Sequence, residues 1–339
     1  MPVTKRKAQK SFTPLLAIGD LHGSYDRLME ILDRYKQFSR YIFTGDYMDR
    51  GKQSIKTAEK VIELIENGKA VGLVGNHDMF FIATMAGDEA AFRDWIGNGG
   101  AKVFPELGPL SSFRTGLEYK QHKIIQNPRL QELASAMRKN LKLFHIENDT
   151  LFIHAGLPYF RGKFQPYNGK VGLAGLTEME KDFKSGNLPY SAIYTLEYDD
   201  RSACWLSYGT SVIWAERDWL EHLTTDEEVK ENFIKRQNKQ QEAGFMVDYE
   251  LKEFRKKFIK KKLDKILKEF RVKRIVHSHD PYIEARSFYK NRVINIDCAM
   301  ADVYGGFGGA LIFDKNSLKT YNHKTKKVKV LEELGNGGI

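Results

Sequence analysis

Cysteine and long apolar runs are scarce in this chain of 339 residues. Its two cysteines, Cys204 and Cys298, lie far apart, which excludes a disulfide framework and a zinc site built on thiolates. No apolar run approaches the roughly 18 residues of a transmembrane helix. The basic N-terminus leads into the short apolar stretch 15–18, which is too short for a secretory signal. We therefore expect a cytoplasmic protein with no membrane contact.

The composition predicts a folded enzyme-sized chain. Hydrophobic residues make up 42% of the sequence and aromatic residues 12%, which is enough for a sizeable core and excludes disorder of the whole chain. We expect a basic tail over 1–13 and a single domain over 14–325 with insertions near 158–211 and 226–270. Residues 326–339 are expected to form a C-terminal tail.

Positive charge is concentrated in one segment. The formal net charge is +10, and residues 251–274 alone carry twelve basic and three acidic residues, a net charge of +9. The rest of the chain is nearly neutral, so a general nucleic-acid-binding role is not indicated. The segment is typical of the solvated face of an amphipathic helix. Two alternatives stay open: a docking face for acidic phosphosubstrates, or an RNA-binding surface for a polyanion.

The first third of the chain predicts alternating strands and helices. Apolar runs over 15–19, 41–44 and 70–74 alternate with helical periodicity over 24–35 and 53–67. Such a βαβαβ unit requires parallel strands, and ligands in these sheets bind outside the carboxyl ends of the strands. Ser24 is a candidate N-cap for the first helix.

The remainder of the chain is less regular. Segments 158–211 are rich in Gly, Pro and Tyr, which is typical of long loops or an inserted cap. Further helices are predicted over 80–95, 128–141 and 226–270, and further strands over 151–153, 274–277, 293–297 and 310–314. The pattern belongs to the α/β class, with a helical or loop insertion.

Three short polar motifs follow the first three predicted strands. They are G-D-L-H-G at 19–23, G-D-Y-M-D-R-G at 45–51 and G-N-H-D at 75–78. Because the ends of parallel strands lie side by side, two Asp, two His and an Asn converge on one crevice. Oxygen and imidazole ligands without thiolate suit divalent Mn, Fe or Zn, and their number exceeds the needs of one ion. We therefore expect two metal ions that share an aspartate.

A site with two metals is suited to phosphoryl transfer, because it activates a hydroxide and clamps the oxygens of an in-line displacement. Arg50 offers a fork of donors for phosphate oxygens. His77, if oriented and kept protonated by Asp49, can protonate the departing alkoxide.

The ordered trio of motifs resembles the phosphoprotein phosphatase family of metallophosphoesterases. The resemblance extends over about residues 15 to 314 and is similar in detail to the bacterial and bacteriophage-type branch and to the symmetrical diadenosine tetraphosphatases. The further segments that carry it are 95–100, 154–156, 212–214, 275–281 and 294–297. The fold that the resemblance implies is a metallophosphoesterase sandwich of two mixed β-sheets flanked by helices.

The resemblance also implies roles for individual residues. The implied metal ligands are Asp20 and His22 for the first ion, Asp46 as the bridge, and Asn76, His154 and His279 for the second. His77 and Asp49 would form the acid pair, while Arg50, together with Asn76, would bind the phosphate.

The sequence departs from the family pattern at two of these positions. His279 is chosen over its neighbour His277 by aligning residues 275–281 with the family's I-V-x-G-H-T-P pattern. The second phosphate-binding arginine of the pattern falls on Glu216, which leaves Arg217 as the candidate.

Other notable residues are expected to be structural. Asp78 replaces the more common Glu of the third motif, and Asp297 is expected to accept a hydrogen bond behind the site. Trp95 and Trp214 are interpreted as core or wall residues, and Cys298 as a core cysteine, since nothing beside it in sequence would activate a thiol.

These observations predict a phosphomonoesterase with two metal ions, in which a metal-bridging hydroxide attacks phosphorus directly. A serine/threonine protein phosphatase, acting on a phosphorylated protein, is the first expectation. A diadenosine tetraphosphatase or an RNA 5′-end phosphohydrolase, acting on a nucleotide substrate, is the alternative. A non-catalytic scaffold that binds metal is a third interpretation.

Overall fold

The computed structural model describes residues 12–108, 123–160, 163–188, 219–237 and 248–334. Several predicted features lie outside these residues: Arg217, the segment around Trp214, Cys204, residues 1–11 of the basic tail, and parts of both insertions.

The described strands and helices alternate through the first third of the chain and become irregular later. The strands are β1 Leu15–Ile18, β2 Tyr41–Phe43, β3 Ala70–Gly72, β4 Phe144–Glu147, β5 Thr150–Ile153, β6 Tyr159–Phe160, β7 Lys163–Phe164, β8 Arg274–His277, β9 Arg286–Phe288, β10 Val293–Asn295, β11 Gly309–Asp314, β12 Ser317–Asn322 and β13 Lys327–Glu333. The α-helices are α1 Tyr25–Arg34, α2 Ser54–Glu66, α3 Asn76–Met85, α4 Glu89–Gly97, α5 Pro128–Asn140, α6 Gly172–Ser185, α7 Asp226–Gln237 and α8 Asp248–Phe270. Short 3₁₀ segments lie at Gly100–Leu107, Trp219–Leu223 and Asp302–Tyr304.

Two mixed sheets form the centre of the fold. The first has six strands in the order β13-β12-β11-β1-β2-β3, and the second has five in the order β4-β5-β8-β10-β9. The pairs β1–β2 and β2–β3 are parallel, whereas β1–β11 is antiparallel. In the second sheet β8 pairs in parallel with both β5 and β10. The predicted βαβαβ unit and the sandwich of two mixed sheets are confirmed.

Strand β1 shows why both faces of the first sheet are apolar. Leu15 and Ala17 lie in a cluster with Phe152 and Val276 of the second sheet, so this cluster fills the space between the sheets. Leu16 and Ile18 point to the opposite face and belong to the larger cluster, which includes the buried side chains of the helices. Each fully buried side chain of this kind contributes about 1.5–3 kcal/mol to folding.

The single helix predicted over 80–95 is wrong, because the chain forms two helices there. The first, α3, begins at Asn76, so the third motif lies on the first turn of a helix. It ends at Met85, and Gly87 follows with a φ of 94°. Asp88 then caps α4 by accepting the N–H of Ala91 at 2.9 Å.

Three other local expectations differ from the structure. Ser24 precedes α1 but makes no capping hydrogen bond, because its hydroxyl donates to Met300 O at 3.4 Å. Arg274 belongs to strand β8 and not to the basic helix. The segment 326–339, expected as a tail, contains β13, which pairs with β12 at the edge of the first sheet.

The two predicted insertions contain regular structure where they are described. The first includes the β6–β7 hairpin and α6. The second consists of α7 and α8, joined by an ion pair between Lys262 and Glu228 at 2.5 Å. The apolar stripe of α8 is buried at Ile259, Leu263 and Ile266. None of the helices in the described ranges has the length and hydropathy needed to cross a membrane.

Candidate metal centre

The three predicted motifs meet at one edge of the first sheet. The strands β1, β2 and β3 are parallel neighbours in this order, and one motif follows each of them. The first and second motifs are therefore adjacent, and the third lies on the far side of the second. The N–H groups of Leu21 and His22 donate to Asp46 O at 3.0 and 2.8 Å, which ties the first two motifs together. Gly45, with a φ of 113°, packs so closely on Gly75 that a Cβ would lie 2.7 Å from Gly75 N. The second sheet supplies His154 and His279, which follow β5 and β8.

Asp46 lies in the middle of the cluster. Its Oδ2 atom is 3.6 Å from His22 Nε2 on one side and 3.6 Å from His154 Nε2 on the other. Its Oδ1 atom accepts the backbone N–H of His77 at 3.0 Å. One carboxylate oxygen is therefore held by the protein while the other faces two imidazoles, which is the arrangement that a bridging ligand requires.

Asn76, His154 and His279 form one half of the cluster. Asn76 Oδ1 lies 3.1 Å from His154 Nε2 and 3.0 Å from His279 Nδ1, and the two nitrogens are 3.2 Å apart. His154 Nδ1 donates to Thr44 O at 2.8 Å, so its Nε2 lone pair faces the cluster. Asp46, His154 and His279 offer ligand atoms within 4.8 Å of one another.

His22 and Asp20 form the other half. His22 Nδ1 donates to Met48 O at 2.9 Å, which leaves its Nε2 lone pair facing the cluster. Asp20 Oδ1 accepts the N–H of His279 at 3.3 Å, whereas its Oδ2 is buried without a hydrogen-bond partner among the described residues. A buried carboxylate oxygen with no donor is costly unless a cation neutralises it. The donor set and this orphaned oxygen therefore fit divalent metal ions.

The structure distinguishes the two histidines of residues 275–281. His277 is buried beside Trp219, with ring centroids 5.8 Å apart, and its Nδ1 lies 3.0 Å from Ser278 O. His279 is the one that faces Asn76 and His154, in the arrangement expected of the ligand. Its φ of 75° places it in the left-handed region, which is strained for a residue other than glycine.

His77 and Asp49 form the expected pair. His77 Nδ1 lies 2.8 Å from Asp49 Oδ2, and both side chains are buried. Burial, followed by the charge of the neighbouring His22, lowers the pKa of His77 well below its usual range. Burial thus favours the neutral imidazole, while the contact with the Asp49 carboxylate favours the protonated form that the acid role requires. Burial also raises the pKa of Asp49 well above the ordinary value.

Arg50 lies over the same cluster and has a partner that the sequence did not indicate. Its Nη1 atom lies 3.0 Å from His22 Nε2 and donates to the hydroxyl of Tyr304, whose ring centroid is 5.1 Å from Arg50 Cζ. Arg27 fastens the turn that carries Tyr304, by donating to Met300 O at 3.2 Å and to Asp302 Oδ1 at 2.5 Å. No motif pointed to this turn, because its contacts with Arg50 and Arg27 are long-range.

Asp78 supports the cluster from behind. Its carboxylate accepts the backbone N–H groups of Asp46, Tyr47 and Gly75 at 2.8, 3.0 and 2.9 Å. Burial, with the charge of Asp46, raises the pKa of Asp78 to about 8, although the N–H groups of Gly75 and Tyr47 act to lower it. Asp78, which stands in the third motif where Glu is more common, thus links the second and third motifs through these hydrogen bonds.

The described residues that were expected to be structural are buried, and one of them, Trp95, also makes a hydrogen bond to the site. Asp297 Oδ1 accepts the N–H of Ala299 at 3.0 Å, and burial raises the pKa of the Cys298 thiol. Trp95 is fully buried as expected for a core residue, but its indole N–H also donates to Asp49 Oδ1 at 2.7 Å. A polar contact of this kind has no periodicity in the sequence and was missed for that reason.

Parts of the sequence are similar to those of known phosphatases and tetraphosphatases. A symmetrical bis(5′-nucleosyl)-tetraphosphatase of Ralstonia nicotianae is 39% identical over 74 residues, which are 22% of this chain and 26% of that protein. Serine/threonine-protein phosphatase 7 of Arabidopsis thaliana is 27% identical over 149 residues, which are 40% of this chain and 36% of that protein. The matches therefore span well under two thirds of these relatives' own length.

A solved structure shares the fold. The cold-active protein-tyrosine phosphatase of a psychrophilic Shewanella species superposes with a TM-score of 0.54 at 16% identity, covering 95% of this chain and 81% of that one. The family model of calcineurin-like phosphoesterases matches residues 13–282, which include every described residue of the metal cluster. The chain belongs to the calcineurin-like phosphoesterase family.

Proposed function

We propose that this protein is a metal-dependent phosphomonoesterase that acts on phosphoserine and phosphothreonine in proteins. The observation that carries the proposal is the position of Asp46 Oδ2, which lies 3.6 Å from an imidazole nitrogen on each side. A carboxylate shared in this way suits two metal ions, and Arg50 and His77 flank it. Metal pairs about 3.5–4 Å apart are used for displacement at phosphorus.

The cluster fits Mn, Fe or Zn, with Mn our first choice for assays in vitro. The residues that would hold the ions are Asp20, His22, Asp46, Asn76, His154 and His279. Two divalent ions bound there would lower the pKa of a water molecule and neutralise charge on the phosphoryl oxygens. Every other part of the reaction falls to the side chains that surround the ions.

Binding of the phosphate is assigned to two side chains. The Arg50 guanidinium has a planar fork that matches two phosphate oxygens, and Tyr304 holds one of its nitrogens. Asn76 faces the histidines with Oδ1, which leaves its amide N–H groups as donors for a phosphoryl oxygen. Arg217 is retained as a further phosphate-binding candidate.

Protonation of the leaving group is assigned to His77. Its Nδ1 is occupied by Asp49, so Nε2 is the atom available to the substrate. A phosphate dianion that enters beside the ring favours its protonated form, as does the Asp49 carboxylate at Nδ1. The imidazolium would then give its proton to the departing serine or threonine oxygen.

Direct attack, without a covalent enzyme intermediate, is favoured because the described cysteine near the site is not an activated nucleophile. Cys298, the described cysteine near the site, is buried, and burial raises the pKa of its thiol. A thiol of that kind is not a nucleophile at neutral pH.

A second candidate is hydrolysis of a dinucleotide tetraphosphate or of an RNA 5′ end. It is favoured by the tetraphosphatase relative and by the charge of α8. Four lysines share one face of α8, at 257, 261, 265 and 268. A polyanionic substrate would gain from such a stripe.

The two candidates are separated by product analysis with Mn²⁺. A phosphoserine peptide and diadenosine tetraphosphate are incubated in parallel with the wild type and with Asp46→Asn. Release of inorganic phosphate from the peptide alone, lost in the variant, supports the protein phosphatase. Cleavage of the dinucleotide alone supports the second candidate. Two bound ions per chain with no hydrolysis of either substrate would favour a metal-binding scaffold.

A further inference from the structure

We infer that the segment Trp95–Gly100 positions the catalytic groups of the site, with Trp95 acting through Asp49 on His77. The inference rests on the proposed function, because it assigns Asp49 and His77 to leaving-group protonation. Trp95 lies at the end of α4 and is fully buried. Its role as a core residue does not explain the direction of its indole N–H.

A chain of two hydrogen bonds joins Trp95 to His77. The indole Nε1 donates to Asp49 Oδ1 at 2.7 Å, and the other oxygen of the same carboxylate lies 2.8 Å from His77 Nδ1. Both oxygens of Asp49 are thereby occupied, so the carboxylate cannot rotate without breaking one of the two bonds. The rotation of Asp49 sets the direction in which His77 Nε2 faces the substrate.

The indole itself has little freedom to move. Its ring centroid lies 5.7 Å from that of Phe81, 6.5 Å from Phe92 and 6.3 Å from Phe104. Gly100 closes the remaining side, since a Cβ there would lie 2.5 Å from the Trp95 Nε1 atom. Only glycine at this position lets the indole lie where it reaches Asp49.

The same segment also contacts Arg50. Asn98 O accepts from Arg50 Nε at 3.4 Å, and Gly99 O accepts from Arg50 N at 3.4 Å. Gly99 has a φ of 110°, and a Cβ on it would lie 2.9 Å from Arg50 Cγ. The turn that follows α4 therefore packs directly along the backbone and side chain of the phosphate-binding residue.

The backbone of the two positioned residues needs such support. Asp49 and Arg50 have φ values of 70° and 60°, a left-handed conformation that costs about 1–3 kcal/mol for each residue with a side chain. Conformations of this kind persist where the surroundings hold them in place. One short segment contacts both residues, which is the reason to treat it as a positioning unit and not as packing.

Trp219 offers a comparison within the same protein. It is also buried, but its indole N–H has no hydrogen-bond partner among the described residues. Replacement of either tryptophan by phenylalanine removes an N–H and leaves an aromatic ring. Only at position 95 does the change remove a hydrogen bond to the carboxylate of the acid pair, so Trp219→Phe is a matched control.

The test compares Trp95→Phe with Trp219→Phe on a phosphoserine peptide and on nitrophenyl phosphate. Because Trp95→Phe removes a hydrogen bond to a carboxylate, we expect its kcat for the peptide to fall by about 10–100-fold. Nitrophenyl phosphate should lose less than about 3-fold, because nitrophenolate needs little protonation. Trp219→Phe should lose less than about 3-fold on both substrates.

A double-mutant cycle separates positioning from packing. In an Asp49→Asn background Trp95→Phe should cause no further loss on the peptide, since the two residues act as one unit. Thermal melting checks that each variant is folded. Equal losses on both substrates, losses equal to those of Trp219→Phe, or full additivity in the cycle would overturn the inference.

A readout independent of activity keeps the two proposals distinguishable. In NMR spectra of the protein the Trp95 indole proton should exchange slowly, and its signal should shift in Asp49→Ala but not in Asp33→Ala, where the exposed carboxylate pairs with Lys36 at the surface. An unchanged signal in Asp49→Ala would overturn the inference. A wild type that is inactive on every phosphate ester while this shift is seen would refute the proposed function and leave the hydrogen bond established.

Discussion

The backbone N–H of His77 donates a 3.0 Å hydrogen bond to Asp46 Oδ1, so that the Oδ2 atom of the same carboxylate faces the histidines on both sides. The bond is possible because His77 lies in the first turn of α3, where backbone N–H groups have no partner within the helix. The start of a helix thus orients the carboxylate that we assign as the metal bridge. The residue that supplies this N–H also supplies the proposed acid.

Asp78→Asn should weaken both the fold and metal binding. The carboxylate accepts three backbone N–H groups, from Asp46, Tyr47 and Gly75, whereas an amide turns one N–H₂ group toward these donors. We expect a loss of about 1–3 kcal/mol in the free energy of unfolding and about 10–100-fold weaker binding of Mn²⁺. Urea unfolding and isothermal titration measure the two effects.

Asp88→Asn is the matched control for Asp78→Asn. Asp88 also accepts a backbone N–H, from Ala91 at 2.9 Å, but as the cap of α4, where asparagine serves equally well. It should change stability by less than about 0.5 kcal/mol. Equal effects of the two substitutions would contradict the role given to Asp78.

Tyr304→Phe should weaken substrate binding more than turnover. The hydroxyl accepts from Arg50 Nη1, which also lies 3.0 Å from His22 Nε2. Because His22 Nε2 would hold a metal ion, Tyr304 would be the remaining partner of Arg50 Nη1. Loss of one hydrogen bond to a charged group corresponds to about 1.5–3 kcal/mol, so we expect KM to rise about 10-fold or more. Steady-state kinetics with a phosphoserine peptide give the split between KM and kcat.

The control for Tyr304→Phe is Tyr25→Phe. The Tyr25 ring lies under Lys56 Nζ at 4.0 Å, a contact that phenylalanine preserves. Its kinetics should match the wild type. A fall in kcat at unchanged KM for Tyr304→Phe would show that the hydroxyl acts elsewhere in the reaction.

Glu147→Gln should lower the free energy of unfolding at neutral pH, and should lower it by a smaller amount at acidic pH. Burial alone would raise the pKa of Glu147, but hydrogen bonds from His145 and Arg40 hold it below its ordinary value of 4.5. A carboxylate whose pKa is lower in the folded state than in the unfolded state stabilises the fold at pH values above the pKa of the unfolded state. This stabilisation is lost as the pH falls through the pKa of the folded state. We expect a loss of about 1–2 kcal/mol near pH 7.

Urea unfolding at about pH 7 and at about pH 3 measures this difference. Glu63→Gln is the control, because Glu63 pairs with Lys60 at the surface, where such pairs contribute about 0–1 kcal/mol. A loss for Glu147→Gln that is the same at both pH values would contradict the linkage.

The parts of the site that follow from strand ends were predictable from the sequence. Asp20, Asp46 and Asn76 follow parallel strands whose apolar runs are short and clear, so their meeting point follows from topology. His154 and His279 come from the second sheet, whose approach to the first depends on the packing between the sheets. For these two residues only the family resemblance was informative.

The parts that were missed depend on long-range polar contacts. Trp95 reads as an apolar residue at helical spacing, and its N–H bond to Asp49 joins residues 46 positions apart. Tyr304 reaches Arg50 across 254 positions, from a turn with no periodic pattern. Gly87 and Asp88 were too weak a signal to divide the predicted helix over 80–95. The edge strand β13 was read as a tail although Lys and Val alternate over 327–330, a period that is typical of a strand.

The central claim is that phosphate ester hydrolysis depends on ions that share Asp46. The most direct test removes metal with a chelator and adds Mn²⁺ back, while bound Mn²⁺ per chain and phosphate release from a phosphoserine peptide are followed together. Activity should appear only as about two ions bind. Asp46→Asn should bind fewer ions and lose at least about 100-fold in kcat. Full hydrolysis by the metal-free protein, or undiminished hydrolysis by Asp46→Asn, would contradict the account.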